Sequence, residues 1–247
     1  MSAASLLTSM IITNMEFTPL SFPILLLYST AYYFIEYFVQ VIFRTLNPTF
    51  YAQLVHYRRR LRYFAFLMGL LNNLISTPAC TYAFTQSPPV NDQYNNLDIA
   101  GQICLASRGV LWVSELNRLD HTTVYVAHHG ASLIGLVFLL LAQVPLRPLY
   151  AIYATLATEM LSNTHVLMSL HGFQRSNSPI ARTIQTAHTI SLVLVRLPTI
   201  VYAWTTMLED WCRGWVLFGC LVIMTLYTGF ILYQIRSGLQ KLSCKKE

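Results

Sequence analysis

Two histidines standing side by side, His128 and His129, are the residues best placed to do chemistry. They lie in "VYVAHHGASLIGLVFLLLAQ", Val124 to Gln143, a run otherwise apolar enough to sit in a membrane. Polar side chains at bilayer depth are costly and face protein or a water-filled space, so the pair needs a cause. An imidazole can serve as general base, nucleophile or metal ligand. Adjacent residues on a helix point about 100° apart, so the two rings do not readily chelate one ion. Neither an HxxHH cluster nor an HxxxH pair occurs, and no metal is expected. A haem held by His128 with His165 or His188 is a minor alternative. Acid–base or nucleophilic work on a lipid carbonyl fits better. One imidazole would take a proton or the acyl group, while the other and a carboxylate such as Glu159 set tautomer and charge.

The helices that must position these residues show the same bias. His121, Tyr125, His128 and Ser132 form one narrow stripe, with Thr122 and His129 along its edge and Leu, Val and Phe opposite. The next apolar segment places Thr155, Glu159, Ser162 and Asn163 on a side, the last three stacked by three- and four-residue spacings. The one after carries Gln185, His188, Ser191, Thr199 and Tyr202 on one face, with Arg196 near its edge. Arg108 and Glu115 align seven residues apart on an earlier segment. His128 and His129 fall roughly 10 to 12 Å inside the membrane at 1.5 Å per residue. Glu36, Glu115, Asn163, His165 and His188 fall in the same half. A shared interior cavity, open toward the cytosol, accounts for this pattern; the bland alternative is hydrogen bonding between helices as packing glue.

Composition supports the setting. The chain has 247 residues, 55% hydrophobic and 11% charged, with mean hydropathy +0.48 and a formal charge of +6, which excludes an ordinary soluble domain. Windows of roughly 20 apolar residues, the length that crosses a hydrocarbon core, number about seven. They run from Pro19 to Phe43, Leu61 to Phe84, Leu97 to Leu116, His121 to Gln143, Leu146 to Leu170, Thr183 to Met207 and Trp211 to Ile235. The expected fold is therefore an all-α integral membrane protein, a bundle of about seven transmembrane helices enclosing a polar-lined cavity. Residues 1–18 read as a luminal segment, 19–236 as the transmembrane domain and 237–247 as a basic cytosolic tail. Most basic residues, including Arg44, Arg58, Arg59, Arg60, Arg62, Arg118, Arg182 and Arg236, fall at alternate ends of the spans. The positive-inside rule makes that side cytosolic and the N-terminus luminal. No basic residue precedes the short apolar run at the start, so the first true span is expected to act as the anchor, with no cleaved signal. Five cysteines lie singly, without CxxC spacing, and read as core residues rather than a zinc site or disulfide framework; Cys80 and Cys104 fall at similar depth on neighbouring spans.

The runs "NRLDHTTVYVAHH", "ATEMLSNTHVLMSL" and "LVRLPTIVYAW", in that order, resemble the TLC-domain family, which includes ceramide synthases and the translocating-chain-associated membrane protein. The likeness covers about Val55 to Ile235. It rests on Asp120 ahead of His128 and His129, on Glu159 and Ser162 as a Glu-x-x-Ser, and on Arg196. The resemblance implies a helical bundle of the endoplasmic reticulum or related membranes with a long lipid-accepting cavity. In the ceramide synthase branch the paired histidines carry acyl transfer from acyl-CoA to a sphingoid amine, which makes His128, His129, Glu159 and Asp120 the catalytic candidates. Tyr125, Ser132, Ser162, Asn163, His165, His188 and Arg196 become candidates for substrate binding. Arg58, Arg59 and Arg60 would suit the phosphates of acyl-CoA as a cosubstrate, with no resident cofactor. Here the paired aspartates of that branch are missing, and Glu159, Asn163 and His165 stand on the corresponding helix. The chain therefore looks closer to the less characterised TLC-domain-containing relatives. Acyl transfer onto a lipid amine or alcohol is the leading expectation. A lipid-binding or lipid-regulating protein without chemistry is the second, and a translocon accessory the third. No nucleic-acid partner is expected.

Overall fold

The computed structural model describes residues 20–57, 59–87, 98–116, 123–142, 144–173, 178–210 and 214–243. Among them every regular element is helical and no strand occurs. The N-terminal segment 1–18, Arg58 and Asp120 lie outside the described residues, as does the side chain of Tyr125. In chain order the helices are α1 (Phe22–Leu46), α2 (Pro48–His56), α3 (Arg60–Gln86), α4 (Ile99–Leu116), α5 (Thr123–Leu141), α6 (Arg147–Ala154), α7 (Glu159–Leu170), α8 (Pro179–Ser191), α9 (Leu197–Asp210) and α10 (Gly214–Ser243). Among the described residues four helical rods are long and apolar enough to cross a membrane: Phe22–Leu46, Arg60–Gln86, Pro179–Leu208 and Gly214–Gln240.

Several boundaries depart from the sequence expectation for local reasons. The segment between the first two spans forms α2, because Pro48 suits a first helical turn and the Asn47 side chain accepts from the Phe50 amide at 3.2 Å. The fifth apolar window is not one helix: α6 passes through a 3₁₀ turn, Thr155–Thr158, into α7. The sixth is continuous in path, but α8 joins α9 through a π-helical turn at Leu192–Arg196. Pro198 follows two residues later; it cannot donate to the helix and its ring crowds the preceding turn, and a widened turn relieves both. α10 continues to Ser243, through residues read as the start of the tail.

Packing between helices in a membrane relies on close approach, since lipid offers no weaker apolar contact than another helix does. α5 and α10 illustrate this. Ile223 packs on Gly135, and the Phe138 ring lies directly over Gly219, where a Cβ would collide with it. The largest core joins α3, α4, α5, α6, α9 and α10 through Ala83, Trp112, Leu136, Tyr150, Tyr153, Met207 and Met224. Inside it Cys80 and Cys104, the two at similar depth on neighbouring spans, form a disulfide, so the cysteines are not all single core residues. Cys220 is buried and free.

A smaller aromatic cluster ties α2 to the end of α7. The His171 ring stacks on Phe50 with centroids 4.3 Å apart and planes 8° from parallel. Its Nε2 meets the Tyr63 hydroxyl at 3.1 Å. Gly172, at φ +86°, turns the chain away from the helix in the left-handed conformation that glycine adopts without penalty. Burial against these rings holds the His171 imidazole below its usual value of 6.5. Between that value and the lower folded one the unfolded chain binds more protons, so stability rises with pH there. The contact is complete above about pH 6.5 and is lost as pH falls below it. Hydrogen exchange over residues 48–56, corrected for intrinsic rates, is expected to speed up from pH 7 to pH 5.5, and His171→Phe to flatten that response.

Candidate active site

α5 carries His128 and, one turn on, Ser132; Ala131, Gly135, Leu136 and Leu139 continue the same face. That face borders a cavity of about 520 Å³. α4 supplies Trp112, α6 and the 3₁₀ turn supply Leu149, Ile152, Tyr153 and Leu156, and α7 supplies Glu159. α10 closes the remaining side with Ile223, Met224, Tyr227, Phe230 and Tyr233. The wall is mainly apolar rather than polar throughout. His128, Ser132, Glu159 and Tyr227 gather at one end, and Leu139 and Leu149 mark the other. From His128 to Leu139 the helix rises about 16 Å, so the space is an elongated slot with a polar head.

The two histidines point in different directions, as their 100° offset requires. The His128 ring lies flat on Phe230, centroids 3.6 Å apart and planes 6° from parallel. His129 is buried and turns to α4, where its Nε2 lies 3.2 Å from Oε2 of Glu115. The acid in contact with a histidine is thus Glu115, whereas Glu159 lines the cavity beside His128 and gives Oε1 to Arg196. Arg196 has no solvent exposure; its Nη2 donates to Glu159 at 2.8 Å and its Nε to the Thr158 hydroxyl at 2.9 Å. Its Nη1 lies 3.5 Å from the Tyr227 hydroxyl. Local irregularity builds this pair. The π-turn ends on Arg196 and the 3₁₀ turn ends on Thr158, which sets Glu159 at the start of α7.

Of the residues proposed from sequence, the cavity therefore collects His128, Ser132 and Glu159, with Arg196 directly behind. Asn163 packs toward α3, where its Nδ2 approaches Gly69. Ser162, His165 and His188 are half-buried on α7 and α8 and do not line the cavity. Arg59 and Arg60 are exposed around the start of α3, Arg59 over the Tyr57 ring and Arg60 3.5 Å from the Tyr51 hydroxyl, away from the cavity. Tyr227, Phe230 and Glu115 are the additions. The first two lie on an almost uniformly apolar helix, where no polarity contrast marks a face. Glu115 stands out in the sequence by depth and by its seven-residue alignment with Arg108, neither of which names His129 as its partner. Among the described residues no group of three or more His, Cys, Asp or Glu converges as a metal site.

The slot opens sideways. Leu226 and Tyr233 line it yet are each 56% exposed, and Gly229 and Ala127 beside them are exposed as well. A Cβ added at Gly229 meets nothing within 4 Å. Gly229→Trp is expected to obstruct this mouth without disturbing the core. Lipid copurifying with the protein, measured by extraction and mass spectrometry, should fall about tenfold, a change equivalent to ~1.4 kcal/mol. The thermal midpoint should be unchanged. Comparison with known proteins finds no matching family model, no similar curated protein and no similar solved structure.

Proposed function

We propose that the chain is a TLC-type, seven-span membrane protein that modifies lipids, transferring an acyl group from acyl-CoA to a lipid amine or alcohol at His128. The observation that carries this reading is an imidazole set at the polar head of an otherwise apolar slot that opens sideways. The slot's length and apolar wall suit one alkyl chain, with its headgroup beside His128, Ser132, Glu159 and Tyr227. A carboxylate in that wall favours a headgroup that donates hydrogen bonds, hence an amine or alcohol over a phosphate. In the transfer, the acceptor's lone pair attacks the thioester carbonyl and the C–S bond breaks. The proton lost by the acceptor passes through His128 to the departing thiolate, giving the acyl product and CoA thiol. The exposed Arg59 and Arg60 would meet the CoA phosphates in the cytosol, on the side to which the basic helix ends assign the C-terminus. An endoplasmic reticulum location follows from the same resemblance.

A second reading, lipid binding without chemistry, draws on the Phe230 ring that covers one face of His128. Incubating the protein in nanodiscs with a long-chain acyl-CoA and a long-chain amine or alcohol distinguishes the two. Acyl transfer predicts equal amounts of free thiol and acylated acceptor. Retention of lipid with neither product would leave only binding.

A further inference from the structure

We propose a second site, for a chloride-sized anion on Arg108, where α1, α3 and α4 meet α6 behind the wall of the lipid cavity. Arg108 has no solvent exposure, and its side chain makes one hydrogen bond, from Nη2 to the Tyr153 carbonyl at 3.2 Å. Its Nε and Nη1 have no partner. A buried guanidinium with unmet donors is among the costlier arrangements a protein can hold. Two carboxylates act on it from nearby, but Glu159 is held by Arg196 at 2.8 Å and Glu115 lies 3.2 Å from the His129 ring.

The neighbouring helix offers further donors. Cys80 is bonded to Cys104, and Gly69 approaches Glu115, so α3 and α4 run antiparallel with the same spacing between both pairs. That register sets Ser76 opposite Arg108, each one turn from its disulfide cysteine. Ser76 is fully buried and its hydroxyl has no partner. One turn further along α3, the Asn72 side-chain nitrogen is likewise buried and unpartnered. The Asn72 oxygen is fixed by the Tyr28 hydroxyl at 2.8 Å, and Tyr28 lies within the electrostatic reach of Arg108. The register therefore sets one positive charge and several unpartnered N–H and O–H donors on facing turns of α3 and α4. A water molecule would satisfy some donors and leave the charge; a monovalent anion answers both. None of the three lines the lipid cavity, which favours a small ion over a lipid headgroup.

The test uses the purified full-length protein in nanodiscs, with sodium chloride exchanged for sodium gluconate at constant ionic strength. Gluconate is too large for such a site. A saturable rise of the thermal midpoint with chloride is expected, and likewise with bromide, following the linkage between ligand binding and stability. Arg108→Gln should abolish it. Because that variant can fail to fold, Ser76→Ala provides the second arm, with the half-saturating chloride concentration raised about tenfold for one lost charge-assisted hydrogen bond. Identical midpoints in chloride and gluconate would overturn the site, as would a chloride response left unchanged by Ser76→Ala.

Discussion

Replacing Glu159 by Leu is expected to destabilise the folded chain by about 3–5 kcal/mol, the cost of leaving a buried charge without its counterion. Arg196 then keeps only the Thr158 hydroxyl and the distant Tyr227 hydroxyl, with no solvent to replace the carboxylate. The reverse substitution should cost less. Beside Arg196 the Glu159 side chain is already 27% exposed, at the head of the slot, so water can reach it once Arg196 is gone. Glu159→Gln should lie between wild type and Glu159→Leu, because an amide oxygen can still accept from Nη2. The pair Glu159→Leu with Arg196→Met should recover much of the loss, since an apolar pair of similar volume often matches a buried ion pair. Unfolding in mixed micelles measures all four variants. A Glu159→Leu cost below about 1 kcal/mol would place the pair in the range of solvated surface ion pairs and remove its proposed structural weight.

The same pair shows where the sequence was legible and where it was not. His128 and Ser132 could be placed together because four residues advance a helix by little more than one turn, and the cavity does collect both. Glu159 followed from the same argument on the next segment. A regular 100° step puts Arg196 near the edge of its stripe. The π-turn adds a residue to one turn and changes its bearing, so the contact with Glu159 depends on an irregularity that the wheel does not contain. Asn163 shares the helical face of Glu159 but reaches Gly69 on α3, since a side chain's target depends on which helix stands opposite it. Tyr227 and Phe230 were invisible for a different reason: α10 is apolar all round, so hydropathy gives no face to choose. Membrane character and helical class needed only composition and segment length. For the disulfide, similar depth on neighbouring spans was legible, but not that α3 and α4 turn these two residues toward each other.

His128→Ala is expected to lower acyl transfer by at least about 10³-fold, near the upper part of the range for a positioned acid–base group. Lipid retention should change little, because the slot is walled mostly by other side chains. His129 should behave differently. It faces Glu115, so its influence on transfer passes through its neighbour and through the packing of α5 on α4. His129→Ala is expected to cost about tenfold, and Glu115→Gln about the same, as members of one contacting pair. Combining them should cost no more than either alone, the signature of residues that act as a unit. Measuring CoA release and retained lipid in parallel for these variants separates chemistry from folding. Full turnover in His128→Ala would exclude that imidazole as the proton carrier and leave the slot as a binding site. Equal losses in His128→Ala and His129→Ala would instead mean that both rings reach the substrate, against the geometry that sends one to Phe230 and the other to Glu115.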